Sequence, residues 1–169
     1  MKIRTHIATI VLAAGACIAP VGATTVNDFV FTPAAQACQL SLPTIDTKVS
    51  PRATGFRNDG TATTYVICGL WKPVADNYIS ATIYLGNTAS TILDVTCTGV
   101  NGDASGTQQY VSKSIGAWPT SGASISFDPG EFGGSGSIPG GYNFSITCAL
   151  PPHTSIERVR SVILRDIGA

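Results

Sequence analysis

The chain has 169 residues, ten Lys and Arg against ten Asp and Glu, and charged side chains make up only 12% of it. Soluble domains usually carry roughly 25%; here hydroxyls supply the polarity, through 20 Thr and 15 Ser. Balanced charge argues against a binder of phosphate backbones. There is no apolar run of the ~18 residues a membrane helix needs, and a 44% hydrophobic content argues against disorder.

Residues 1–23 read as an export signal. Lys2 and Arg4 give a positive start, Ile7 to Ala19 an apolar stretch of 13 residues, and Pro20 ends it. As a helix that stretch is about 20 Å long, short of a ~30 Å hydrocarbon core. Val21-Gly22-Ala23 provides a cleavage site, so the mature chain is expected to begin near Thr24. Removing Lys2 and Arg4 leaves 8 basic residues against 10 acidic, a charge of −2. Cys17 follows small residues as in a lipoprotein signal, but the Leu usual three positions earlier is replaced by Ala14, which argues against a lipid anchor. Residues 24–37 read as a leader, and 38–169 as a single domain.

Four cysteines remain beyond the signal: Cys38, Cys68, Cys97 and Cys148. An even number in an exported chain points to two disulfides. Cys97 and Cys148 each fall on the apolar phase of an alternating segment, where facing sheets could bring them together. The favoured pairing is Cys38–Cys68 and Cys97–Cys148. No C-x-x-C occurs, so a four-Cys zinc site is not expected.

Alternation of apolar and polar residues is the clearest structural signal along the rest of the chain. Candidate strands cover Gln39–Leu42, Thr63–Leu70, Tyr78–Leu85, Leu93–Thr98, Gln109–Ile115, Ala123–Asp128, Tyr142–Leu150 and Ile156–Leu164. In the third, Ile79, Ala81, Ile83 and Leu85 are expected to face the core, opposite Tyr78, Ser80, Thr82 and Tyr84. The last is ambiguous, because Ile156, Val159 and Ile163 also fit helical spacing; its β-branched content favours an edge strand. Asn58-Asp59-Gly60, Gly86-Asn87 and Asn101-Gly102-Asp103 are turn sequences. The expected fold is all-β, an antiparallel β-sandwich or jelly roll of about eight strands with two disulfides.

Residues able to do chemistry are sparse. His153 is the one histidine beyond the signal and follows Pro151-Pro152 in a loop; with no G-x-S-x-G elbow it reads as a solvated turn residue. Asp128 and Glu131 flank a Pro-Gly turn, and two acids there read as a solvated turn before a glycosidase pair. Asn101, Asp103, Ser105 and Gly106 imitate the first half of a calcium loop, but position 12 is Ser112 where a bidentate Glu is needed. The loop Gly130–Gly141 lacks the Lys and Ser/Thr of a phosphate cradle, while Phe132 and Ile138 within it could dock on the sandwich or on a partner. No catalytic residue, metal ligand or cofactor is assigned.

Aromatics give the remaining handle. Trp71, Trp118 and Tyr110 are candidate ligand-binding residues, Trp and Tyr being suited to stacking on sugars; for the two tryptophans the favoured expectation is instead that each plugs an end of the core. In general style the chain resembles small exported β-proteins of Gram-negative bacteria, and no short motif brings a specific function with it. The expected role is that of an exported, periplasmic or extracellular, non-catalytic protein with a binding or surface/structural function, its partner an unknown protein or glycan. The variants are a carbohydrate-binding module, a pilus-type subunit donating residues 24–37 to a neighbour's sheet, and, least favoured, a small hydrolase. Nucleic acid is not an expected partner.

Overall fold

A computed structural model describes residues 24–41, 48–72, 77–102, 106–140 and 143–168. The export signal, Cys17, Asp103, Ser105 and Tyr142 lie outside the described residues. The strands are β1 (Thr25–Pro33), β2 (Cys38–Leu40), β3 (Val49–Arg52), β4 (Gly55–Asn58), β5 (Thr64–Leu70), β6 (Asn77–Asn87), β7 (Leu93–Gly102), β8 (Gln109–Ala117), β9 (Ala123–Phe127), β10 (Asn143–Leu150) and β11 (Thr154–Asp166). A single helical turn, α1 (Ala34–Ala37), joins β1 to β2, and a 3-10 turn covers Pro129–Phe132.

The strands form two antiparallel sheets. Sheet A runs β3-β4-β11-β6-β9, with β1 also laid along β11; sheet B runs β2-β5-β10-β7-β8. This is the expected sandwich, with three strands, β1, β3 and β4, beyond those read from the sequence. Residues 24–37 are built into it: β1 pairs with β11 from Thr25↔Asp166 to Pro33↔Arg158. The segment is apolar on both faces at Phe29, Val30 and Phe31, a pattern that strict alternation overlooks.

Two β-bulges separate the observed faces from those expected. An extra residue, Glu157, interrupts pairing between Ile156↔Leu85 and Arg158↔Tyr84, so Ile156 and Val159 reach the core three positions apart. That spacing produced the helical ambiguity. A second shift, at Ile79, puts Tyr78 in the core with Ala81, Ile83 and Leu85, while Ile79 is only half-buried. Nor is β11 an edge strand: it is flanked by β6 on one side and by β1 and β4 on the other.

Both disulfides form with the expected pairing, Cys38–Cys68 and Cys97–Cys148. They join directly opposite residues of neighbouring strands within sheet B, not facing sheets. Their Cα separations of 3.9 and 4.0 Å belong to such cross-strand pairs. Between the sheets, Phe144 collects Tyr78, Phe127 and Phe132 at centroid distances of 5.5, 6.3 and 5.4 Å. Phe132 and Ile138 are both buried, so the glycine-rich loop is anchored on the core at two points. Gly99 makes room for this cluster, since a Cβ there would lie 2.8 Å from Phe127 Cδ1.

Two buried asparagines tie the sheets together at expected turns. The Asn58 amide donates to Ala62 O and Leu150 O, while its Oδ1 accepts from Gly60 N. Asn87 repeats the scheme with Thr91 O, Ala117 O and Ala89 N. Each side chain thus satisfies turn backbone and spans from sheet A to a strand of sheet B.

Candidate functional site

The two acids beside the Pro-Gly turn have structural occupations, and His153 makes its hydrogen bonds through its main chain. Asp128 and Glu131 form a capping box on the 3-10 turn, and Glu131 also ion-pairs with Lys113 at 2.5 Å. His153 occupies the turn between β10 and β11 at φ 69°; its N–H bonds Asn58 O and its carbonyl accepts from Thr88 N and Oγ1. Arg57 and Arg52 hold the Asp59 carboxyl below its ordinary range. The Asn101 side chain is engaged within the protein: Oδ1 accepts from the buried Lys72 ammonium at 2.9 Å, and Nδ2 donates to Gln109 Oε1 and Pro139 O. Lys72 also donates to Pro139 O and Gly140 O, and burial pushes its pKa down. An open cleft of about 270 Å³ lies above these groups, lined in part by Asn101, Gln109 and Gly140.

The three aromatics singled out from the sequence are exposed on the sheet B side. Trp71 is 62% exposed, Trp118 58% and Tyr110 62%; neither tryptophan plugs the core. Trp71 follows β5 and Tyr110 opens β8, at one end of the sheet but three strands apart, roughly 14 Å. Trp118 follows β8 at the other end, eight residues from Tyr110, roughly 26 Å. Tyr65, on the outward phase of β5, is exposed as well. Between them lies a hydroxyl lawn in which Thr96 bonds Ser114 and Thr98 bonds Ser112, both at 2.7 Å. The structure does not bring these aromatics into one platform.

The outer face of sheet A does gather its aromatics. Phe29 and Phe31 share the outward phase of β1, roughly 7 Å apart, and are 53% and 52% exposed. Register places Phe29 beside Val162 and Phe31 beside Arg160 of β11, and Arg158 beside Tyr84 of β6. Two guanidiniums weave the rings together. Arg158 lies 4.5 Å from the Tyr84 centroid and 5.6 Å from Phe31, and Arg160 lies 5.9 Å from Tyr84 and 6.0 Å from Phe29. Arg160 Nη2 donates to Thr82 Oγ1 at 3.1 Å, and that hydroxyl is bonded to Ser126 at 2.9 Å. The result is a compact aromatic surface, its Arg160 anchored on the buried Thr82 hydroxyl, with cation–π contacts each worth about 0.5–1 kcal/mol when exposed.

Sequence reasoning passed over this cluster because it is assembled across strands. Its local signals are Phe29-Val30-Phe31 and Arg158-Val159-Arg160, each with period two. Neither segment shows by itself that the other is its neighbour.

No protein-family model matches the chain, and no curated protein matches it in sequence. Solved structures do match its shape. A xylan-binding module, CBM15, superposes with a TM-score of 0.50 at 9% identity, covering 82% of this chain and 97% of that one. A CBM35 module from Cellvibrio japonicus Abf62 has a TM-score of 0.45 at 13% identity, with coverage of 82% and 97%. The first likeness establishes a β-sandwich fold shared with a polysaccharide-binding module.

Proposed function

We propose that this chain is an exported, non-catalytic β-sandwich that binds glycan on the outer face of sheet A. The observation that carries the reading is the cluster of exposed Phe29 and Phe31 with half-buried Tyr84, linked by Arg158 and Arg160. Ring faces supply apolar contact to the C–H face of a sugar, and the flanking guanidiniums and hydroxyls supply donors and acceptors to its rim. The fold shared with a xylan-binding module supports the same direction. Two disulfides fit an oxidising compartment, and no described helix is long and apolar enough to cross a membrane.

The test is affinity electrophoresis of the mature chain through gels containing soluble polysaccharides. Phe31→Ala and Tyr84→Ala are each expected to weaken retardation about tenfold, equivalent to ~1.4 kcal/mol. Thermal stability is expected to be preserved in Phe31→Ala, whose ring is exposed, and to fall modestly in Tyr84→Ala, whose ring is half-buried against Arg158. Trp71→Ala, Tyr110→Ala and Trp118→Ala are expected to leave retardation unchanged. Loss of binding in the second set with retention in the first would move the site to sheet B. No retardation by any polysaccharide would remove the glycan reading.

A further inference from the structure

The sheet A face holds more positive charge than folding requires. Each other described arginine has a carboxylate: Arg52 and Arg57 share Asp59, and Arg165 pairs with Asp28 at 2.7 Å. Arg158 and Arg160 have none among the described residues, although they stand two positions apart on one face of β11, roughly 7 Å, and repel each other. Glu157 shares that neighbourhood at the bulge, but its carboxylate lies towards the Gly86 position and forms no ion pair with either arginine.

We infer that the ligand of this face is an acidic polysaccharide, with Arg158 and Arg160 each receiving a carboxylate while the rings of Phe29, Phe31 and Tyr84 carry the sugar faces. This rests on the glycan-binding reading above. A guanidinium offers a planar fork that matches a carboxylate in bidentate geometry, and the ring contacts restrict both side chains before the ligand arrives. Arg160 uses Nη2 on Thr82, and its buried Nε has no hydrogen-bond partner. The Thr82 bond holds the side chain, and because Nε is buried an acid would have to be received at the outer, Nη end of the fork. A neutral glycan would leave both charges uncompensated under the bound chain, where excluded water strengthens their repulsion. The near-neutral charge of the whole chain disfavours a nucleic acid as the polyanion, so selectivity has to arise locally, from paired rings and guanidiniums.

The experiment compares binding of the mature chain to polygalacturonate, to the same polymer after reduction of its carboxyl groups, to neutral xylan and to dextran sulfate. Polygalacturonate is expected to bind at least tenfold more tightly than its reduced form, with the difference collapsing in about 0.5 M salt. Arg158→Gln with Arg160→Gln should abolish the preference, and Glu157→Gln should strengthen binding to the acidic polymer. If the double variant fails to fold, Arg158→Lys with Arg160→Lys keeps the charge but loses the fork, and a clear drop in the preference is still expected. Equal binding of the acidic and reduced polymers would overturn this inference and leave the glycan reading intact. Binding of dextran sulfate as tightly as polygalacturonate would overturn the carboxylate assignment in favour of a general polyanion site. Retention of none of the four polymers would overturn this inference, and the glycan reading would then stand or fall on the wider series of polysaccharide gels.

Discussion

The bulge at Ile79 makes Tyr78 a buried residue, and Tyr78→Phe tests that placement directly. The phenol is fully buried and bonded to Ser161 Oγ at 2.9 Å, with Ser161 itself buried. Removing the hydroxyl creates almost no cavity but leaves Ser161 without this partner, a cost of about 1–2 kcal/mol. For a domain of this size that is a fall in Tm of roughly 2–8 °C. Ser161→Ala orphans the phenol and should cost a similar amount. The double variant removes both polar ends, so it should be less destabilised than the sum of the singles by about 1 kcal/mol. Urea melts followed by circular dichroism measure all four corners of the cycle. Burial raises the Tyr78 pKa, opposed by the Ser161 bond. The folded state therefore holds its proton where an unfolded tyrosine, near pH 10, releases it. That contribution is complete below about pH 10 and is lost above it at about 1.4 kcal/mol per pH unit. Tyr78→Phe should lose this alkaline slope. Additive single-variant effects together with an unchanged alkaline slope would show that the phenol faces solvent, as strict alternation predicted.

Three further outcomes follow from the packing. Replacing Cys97 and Cys148 by Ala frees residues 51 apart and should lower stability by about 4 kcal/mol, read as a Tm drop under matched oxidising conditions. Lys72→Met leaves Asn101 Oδ1, Pro139 O and Gly140 O without their donor. About 2 kcal/mol should be lost, with faster proteolysis in the 133–140 loop; a variant cut at the wild-type rate would show that the ammonium does not hold it. Gly99→Ala pushes a methyl against Phe127 and should cost about 1–3 kcal/mol, a loss that Phe127→Leu in the same chain partly relieves.

Regular strands were legible because one face is buried and the other carries hydroxyls: β9 was read at Ala123–Phe127 within one residue, and β10 by the sequence Phe144, Ile146, Cys148, Leu150. Phase was lost where an extra residue entered a strand. Ile79 and Glu157 are invisible as bulges in one dimension, because an insertion is defined by the partner strand. The cysteine pairing was legible from strand placement, although the link turned out to run within one sheet. The aromatic site was least legible. Trp71, Trp118 and Tyr110 attract notice by residue type, whereas Phe31, Tyr84 and Arg158 become a group only through register between segments more than fifty and seventy residues apart.

The position of β11 also sets an order of events during synthesis. β1, β4 and β6 bond to it directly, and β3 and β9 reach it through β4 and β6. Before Thr154–Asp166 leaves the ribosome, sheet A can exist only as a β3–β4 hairpin, a β6–β9 pair and an unattached β1. All the pairings of sheet B involve residues of β2, β5, β7, β8 and β10, which are made earlier. Sheet A therefore lacks its central strand until β11 has been made, and closure of the core waits on that strand.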